Sequence, residues 1–250
     1  MRGVLRELVQ AFALLTRLPI PPLRGGGSLA PCVWAFPLVG AAVGAIGAAA
    51  YWLARGVAVP PVLAAVLALA AQIVATGGFH EDGLADTADG FGGGATAVRK
   101  LEIMRDSRIG SFGVLALVLA LAIRGSAIVA VADRVRVGAA LVVASTLGRA
   151  AIVGVLMALP PARADGLGAS VQAPGAWRVA VAALIAIALA FAVLPEPRAA
   201  GAVLIAAVTA AATAWLGYAQ IGGYTGDVLG AGEQAAECAV LALLATAAAP

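Results

Sequence analysis

Charge is scarce in this sequence. Charged residues fill 12% of its 250 positions and hydrophobic residues 62%, which leaves too little polar surface for a soluble domain. Aromatic residues are sparse at 5%, and the turn-punctuated alternation of a membrane β-barrel is missing. Cys32 and Cys238 stand far apart with no CxxC pair, so neither a disulfide framework nor a zinc site is indicated and both read as packing residues. A net charge of +3 comes from basic residues set mostly between apolar runs, where they orient a membrane protein rather than bind nucleic acid.

What remains is rich in alanine and glycine, which suits helices packed closely in lipid. The expected fold is an all-α, polytopic helix bundle forming one membrane-embedded domain over residues 1–250. Runs long enough to cross a bilayer fall at about 33–53, 60–76, 111–132, 137–158, 178–194, 199–216 and 235–249. That gives about seven spans, within a range of six to eight. Pro60, Pro61, Pro160, Pro161, Pro195 and Pro197 mark junctions, where proline starts or stops a helix at little cost. Ahead of the spans, Arg6 and Glu7 break the pattern of a signal peptide. Leu5, Leu8, Phe12 and Leu15 share one helical face, opposite Arg2, Arg6, Gln10 and Arg17, as in an amphipathic helix lying in the headgroup region.

With the N-terminus in the cytoplasm, segments 1–32, 77–110, 159–178 and 217–234 face inward and carry ten of the sixteen Lys and Arg residues. This satisfies the positive-inside rule and puts the acidic segments 77–110, 159–178 and 217–234 on one membrane face. Segment 77–110 holds six of the thirteen carboxylates: Glu81, Asp82, Asp86, Asp89, Glu102 and Asp106. Asp82, Asp86 and Asp89 recur at i, i+4 and i+7, one helical face. Three gathered carboxylates repel one another unless a cation neutralises them, and hard oxygen donors suit magnesium. The plainer alternative is a solvated loop in which aspartates cap helix ends.

The surrounding glycines, Gly83 among them, make either a flexible linker or a close backbone approach to phosphate. His80, the sole histidine, is a core residue or a substrate contact. Arg105 and Arg108 flank Asp106 just before a span, as a phosphate clamp or a topological anchor. GGYTGDVLGAGEQAAE adds Gly226, Asp227 and Glu233, then Glu237 at the start of the last span, where an ionisable residue is a functional candidate.

These blocks together resemble the cobalamin synthase (adenosylcobinamide-GDP ribazoletransferase) family. LLTRLPIP from Leu14, GGFHEDGLADTADG from Gly77, LEIMRDSRIGSFG from Leu101, DGLG from Asp165 and GGYTGDVLGA from Gly222 occur in the family's order and approximate spacing. Glu81 stands where the family usually has an apolar residue, and Tyr224 where it has a polar one. The resemblance implies transfer of the phosphoadenosylcobinamide moiety of adenosylcobinamide-GDP to α-ribazole or its 5′-phosphate, with release of GMP and with Mg2+ as cofactor. It implies a multi-pass protein of the bacterial cytoplasmic (inner) membrane whose active face is cytoplasmic. Asp82, Asp86, Asp89, Asp106 and Asp227 are then the expected catalytic carboxylates, the first three of them metal ligands. His80, Arg105, Arg108, Gly83 and Gly226 form the expected substrate contacts.

Two rivals have their own signatures. A transporter is hinted at by Arg124, Arg149 and Glu237 within spans, but its key charges belong near mid-membrane, not in a polar segment between spans. A CDP-alcohol phosphotransferase begins its motif DGxxAR, whereas Asp82, Gly83 and Ala85 are followed here by Asp86. Topology gives the first test. In a protein lacking Cys32 and Cys238, Ala95→Cys is expected to escape an impermeant thiol reagent applied to intact cells and to react after permeabilisation. Labelling from outside would break the shared-face arrangement.

Overall fold

The computed structural model describes residues 2–20, 28–166, 170–171 and 174–246. These residues form ten α-helices. Amphipathic α1 is Arg2–Leu15, and a 3-10 turn, Ala30–Ala35, leads into α2, Phe36–Gly56. There follow α3 (Pro61–Thr76), α4 (Phe79–Gly93), α5 (Ala97–Ile103), α6 (Ser111–Val131) and α7 (Arg134–Ala158). The last three are α8 (Ala176–Val193), α9 (Glu196–Ile221) and α10 (Gly226–Thr246).

Local chemistry sets the boundaries. Prolines occupy the first turn of α3 and of α9, where a missing N–H and a fixed φ are harmless. The Asp133 carboxylate caps α7, accepting the N–H groups of Val135 and Arg136 at 3.1 and 2.9 Å. That helix ends at Ala158, ahead of Pro160.

Six helices are long and apolar enough to cross a membrane, and a seventh span results if α3 and α4, bent 91° at their junction, count as one. The expected seven-span bundle stands with two corrections. The last span begins at Gly226, nine residues before the predicted 235. Hydropathy rejected its first turns because Asp227 and Glu233 lie there, and Glu233 is neutralised by Arg149 of another span. The polar segment 77–110, for its part, is mostly helix. At 16 residues, α3 rises only about 24 Å, short of a roughly 30 Å hydrocarbon core. Gly77 and Gly78, both left-handed at φ 71° and 69°, then turn the chain where a side chain would be strained.

The most buried span is α7, while α6, α8 and α9 leave most side chains outward. Along α7 and α10 the interior falls into two apolar clusters. One holds Tyr51, Leu69, Leu141 and Leu241, the other Phe36, Val43, Ile152 and Val228. Between them, in sequence and in space, lies a layer of charge.

Close approach of α2 to α7 depends on Gly40 and Gly44: a Cβ on Gly44 would stand 2.6 Å from the Leu141 carbonyl oxygen, the small-residue contact typical of membrane helices. Gly44→Val is therefore expected to destabilise the protein by about 1–3 kcal/mol through overpacking. Thermal unfolding in detergent should show a lower midpoint for Gly44→Val and an unchanged one for Gly56→Val, because a Cβ on Gly56 meets nothing within 4 Å.

Candidate active site

The charged layer is a network of ion pairs and hydrogen bonds. Arg124 on α6 and Arg149 on α7 are 1% and 2% exposed, and the Glu237 carboxylate on α10 bridges them, 2.7 Å from Arg124 Nη2 and 2.5 Å from Arg149 Nη1. Arg149 Nη1 also meets Glu233 Oε1 at 2.5 Å. Arg124 donates to Gln234 Oε1 at 2.8 Å and to Gln72 Oε1 of α3 at 3.2 Å. Gln72 in turn donates to Ser145 Oγ at 3.0 Å.

This network reaches α4 through two neighbouring residues. Glu81 Oε1 accepts from Arg124 at 3.2 Å and from Gln234 Nε2 at 3.1 Å. The His80 Nδ1 atom lies 3.4 Å from Arg149 Nη2 and 3.7 Å from Glu233 Oε2. Its Nε2 has no hydrogen-bond partner among the described residues. Since successive helical residues turn by about 100°, anchoring His80 inward sends Asp82, Asp86 and Asp89 to the opposite face.

That second face meets α10 and α6. A Cβ on Gly83 would lie 2.8 Å from the Asp227 carbonyl oxygen, so the bare glycine lets α4 close on the first turn of α10 and brings Asp227 to the aspartates. Asp82, Asp227 and Asp89 all act on Asp86 as like charges, and Arg163 as a countercharge. Asp227, distant in sequence, thus lies near enough to α4 for its charge to act on Asp86.

The residues differ in engagement. Asp89 is bound at the N-terminus of α6, its two oxygens accepting the N–H groups of Gly110 at 2.7 Å and Gly113 at 2.8 Å. Asp82 is exposed. Asp227 Oδ2 accepts from Thr225 Oγ1 at 3.1 Å and from Arg163 Nη2 at 3.2 Å. Gly226 opens α10 and borders an apolar cavity with Leu15, Phe36, His80 and Leu156. The Asp106 carboxylate binds Arg108, whose hydrogen bonds hold it down at about 2. A depressed carboxyl keeps such a clasp above pH ~4 and loses it only as pH falls through the folded value, so this pair stays ionised near neutrality. Arg105, just over half exposed, donates to both oxygens of Asp165 at 2.7 and 2.8 Å. Neither Arg105 nor Arg108 ion-pairs with Asp82, Asp86 or Asp227 among the described residues.

Sequence reasoning flagged Arg124, Arg149 and Glu237 as ionisable groups in spans but did not pair them, and it passed over Arg163. The signal for Arg163 was its place two residues before the DGLG block.

Oxygen donors from two helices, with an arginine among them, lie together in a polytopic helical membrane protein: that is the class. Residues 7–245 match the cobalamin-5-phosphate synthase (CobS) family. The chain is 44% identical over 247 residues to the adenosylcobinamide-GDP ribazoletransferase of Bradyrhizobium diazoefficiens, covering 98% of this chain and 95% of that one. It is 42% identical to the enzyme of the same name from Mesorhizobium japonicum, over 98% and 95% of the two chains. It is also 42% identical to that of Azorhizobium caulinodans, over 95% and 94%. No solved structure matches. The chain belongs to the cobalamin-5-phosphate synthase family.

Arg149→Met should be among the most damaging single changes, because it removes one of the two arginines that neutralise Glu233 and Glu237. Breaking a buried pair by deleting one partner costs about 3–5 kcal/mol. Folded yield in detergent is expected to collapse and to recover partly when Glu233→Leu is added. A yield equal to the parent's in Arg149→Met alone would show that the network carries no stability.

Proposed function

We propose that this chain is an adenosylcobinamide-GDP ribazoletransferase working at the cytoplasmic face of the bacterial inner membrane, with its phosphoryl chemistry at Asp82, Asp86 and Asp227. A hydroxyl of α-ribazole, or of its 5′-phosphate, attacks the phosphorus that carries the cobinamide. A P–O bond forms to ribazole, the P–O bond to GMP breaks, and adenosylcobalamin or its phosphate leaves. The observation that carries the reading is the set of carboxylates around Asp86, supplied by helices some 140 residues apart in sequence and closed together over Gly83.

The donor set suits magnesium. No three His, Cys, Asp or Glu side chains are preassembled around an ion among the described residues, and magnesium commonly takes one or two carboxylates and fills its shell with water and substrate phosphate. Asp82 and Asp86 would hold it, with Asp227 beside them. When bound it neutralises charge growing on the departing GMP. Asp227 keeps Oδ1 clear of Arg163 and Thr225, both of which use Oδ2. That oxygen receives the ribazole hydroxyl proton. Asp89 serves the same site by tying α4 to the first turn of α6, and Arg105 and Arg108 border it on the segment between α5 and α6.

Asp82→Asn and Asp86→Asn are each expected to lower turnover at least a hundredfold while leaving membrane insertion intact, because a neutral amide is a poorer magnesium ligand of similar shape. Raised magnesium should restore part of the loss. Asp89→Asn should differ: its amide keeps one of two acceptors for the α6 N–H groups, so the defect should appear in thermal stability and not respond to metal. GMP release near the wild-type rate in both of the first two variants would remove the cluster from the mechanism.

A further inference from the structure

The segment between α7 and α8 is fixed to the start of α10 by backbone pairing. Ala162 N–H donates to the Tyr224 carbonyl at 2.8 Å, and Tyr224 N–H to the Pro160 carbonyl at 3.0 Å, forming a parallel bridge between Pro161 and Tyr224. The contact is tight enough that a Cβ on Gly223 would overlap the Pro160 carbonyl oxygen. Arg163 is therefore delivered to the carboxylate cluster by main chain, not by the chance reach of a long side chain.

Its guanidinium is half used. Nη2 meets Asp227 Oδ2 at 3.2 Å, and the side chain is 19% exposed. Nη1 is buried, and among the described residues this prong of the planar fork has no hydrogen-bond partner. Asp86 feels the same positive charge. Arg105 and Arg108 also face a carboxylate each, Asp165 and Asp106, but both are more than half exposed.

We infer that Arg163 is the arginine that receives the diphosphate of the nucleotide-bearing substrate, Nη1 donating to a non-bridging phosphate oxygen while Nη2 stays on Asp227. A buried N–H left unpaired is unfavourable, and a phosphate oxygen is the strongest acceptor the substrate offers. Arg163 thereby links the phosphate to the carboxylate that accepts the hydroxyl proton, and Arg105, through Asp165, steadies the loop that carries it. This rests on the reaction proposed above.

The test is Arg163→Lys, which keeps the charge beside Asp227 but loses the fork. Calorimetric titration with GMP is expected to show binding weakened at least tenfold. The KM for adenosylcobinamide-GDP should rise to match, with the KM for α-ribazole and the thermal midpoint unchanged. Arg163→Gln should weaken GMP binding further. GMP affinity within twofold of the parent in both variants would overturn the inference. So would a loss confined to Arg105→Lys or Arg108→Lys, or a change in the ribazole KM alone. If instead the unsubstituted protein released no GMP from adenosylcobinamide-GDP and α-ribazole, the proposed reaction itself would fall, a result distinct from normal turnover in Arg163→Lys.

Discussion

Everything in this fold depends on two arginines that have no water to go to. Arg124 and Arg149 are buried in membrane-spanning helices, where an unpaired charge costs at least about 2.5–3.5 kcal/mol and far more in isolation. Glu237 answers both, Glu233 answers Arg149, and glutamines take further donors. Because Arg124 on α6 and Arg149 on α7 find their partners on α3, α4 and α10, satisfying the charges fixes how those five helices are rotated against one another. Greasy packing alone would not, since lipid solvates an apolar helix face as well as another helix does.

That constraint is converted into a site by α4. One side of the helix is held by the network through His80 and Glu81, and the other presents aspartates to the first turn of α10. The two faces do opposite work. Inward arginines are each matched by carboxylates. The outward carboxylates outnumber the one arginine that reaches them among the described residues. Asp89 belongs to both, a carboxylate on the outward face whose oxygens are already given to α6.

Much of this was legible. Proline pairs marked the ends of spans because a missing N–H is tolerated only in a first turn, and the i, i+4, i+7 recurrence of Asp82, Asp86 and Asp89 placed them on one helical face, where they stand. The pairing of Arg149 with Glu237 was not legible: the two lie 88 positions apart, and only packing chooses among possible partners. The same blindness put the start of the last span too late, since a hydropathy window sees Glu233 as charge and cannot see its neutraliser. Gly77 and Gly78 read equally well as linker or phosphate loop, and only their left-handed backbone shows a right-angle turn. Arg163 was hidden because a lone arginine in a loop after two prolines has no periodicity to betray it. A two-bond bridge to Tyr224 gives it meaning.

The central claim is that a metal ion, a phosphate and the α4 carboxylates meet at one place. Pulsed electron paramagnetic resonance of the purified protein with Mn2+ in place of magnesium and with GMP measures this directly. One bound Mn2+ per chain carrying phosphorus hyperfine coupling from GMP, with binding lost in the Asp82→Asn, Asp86→Asn double variant, is the result expected. Mn2+ held equally well by that double variant, or bound with no phosphorus coupling, would contradict it.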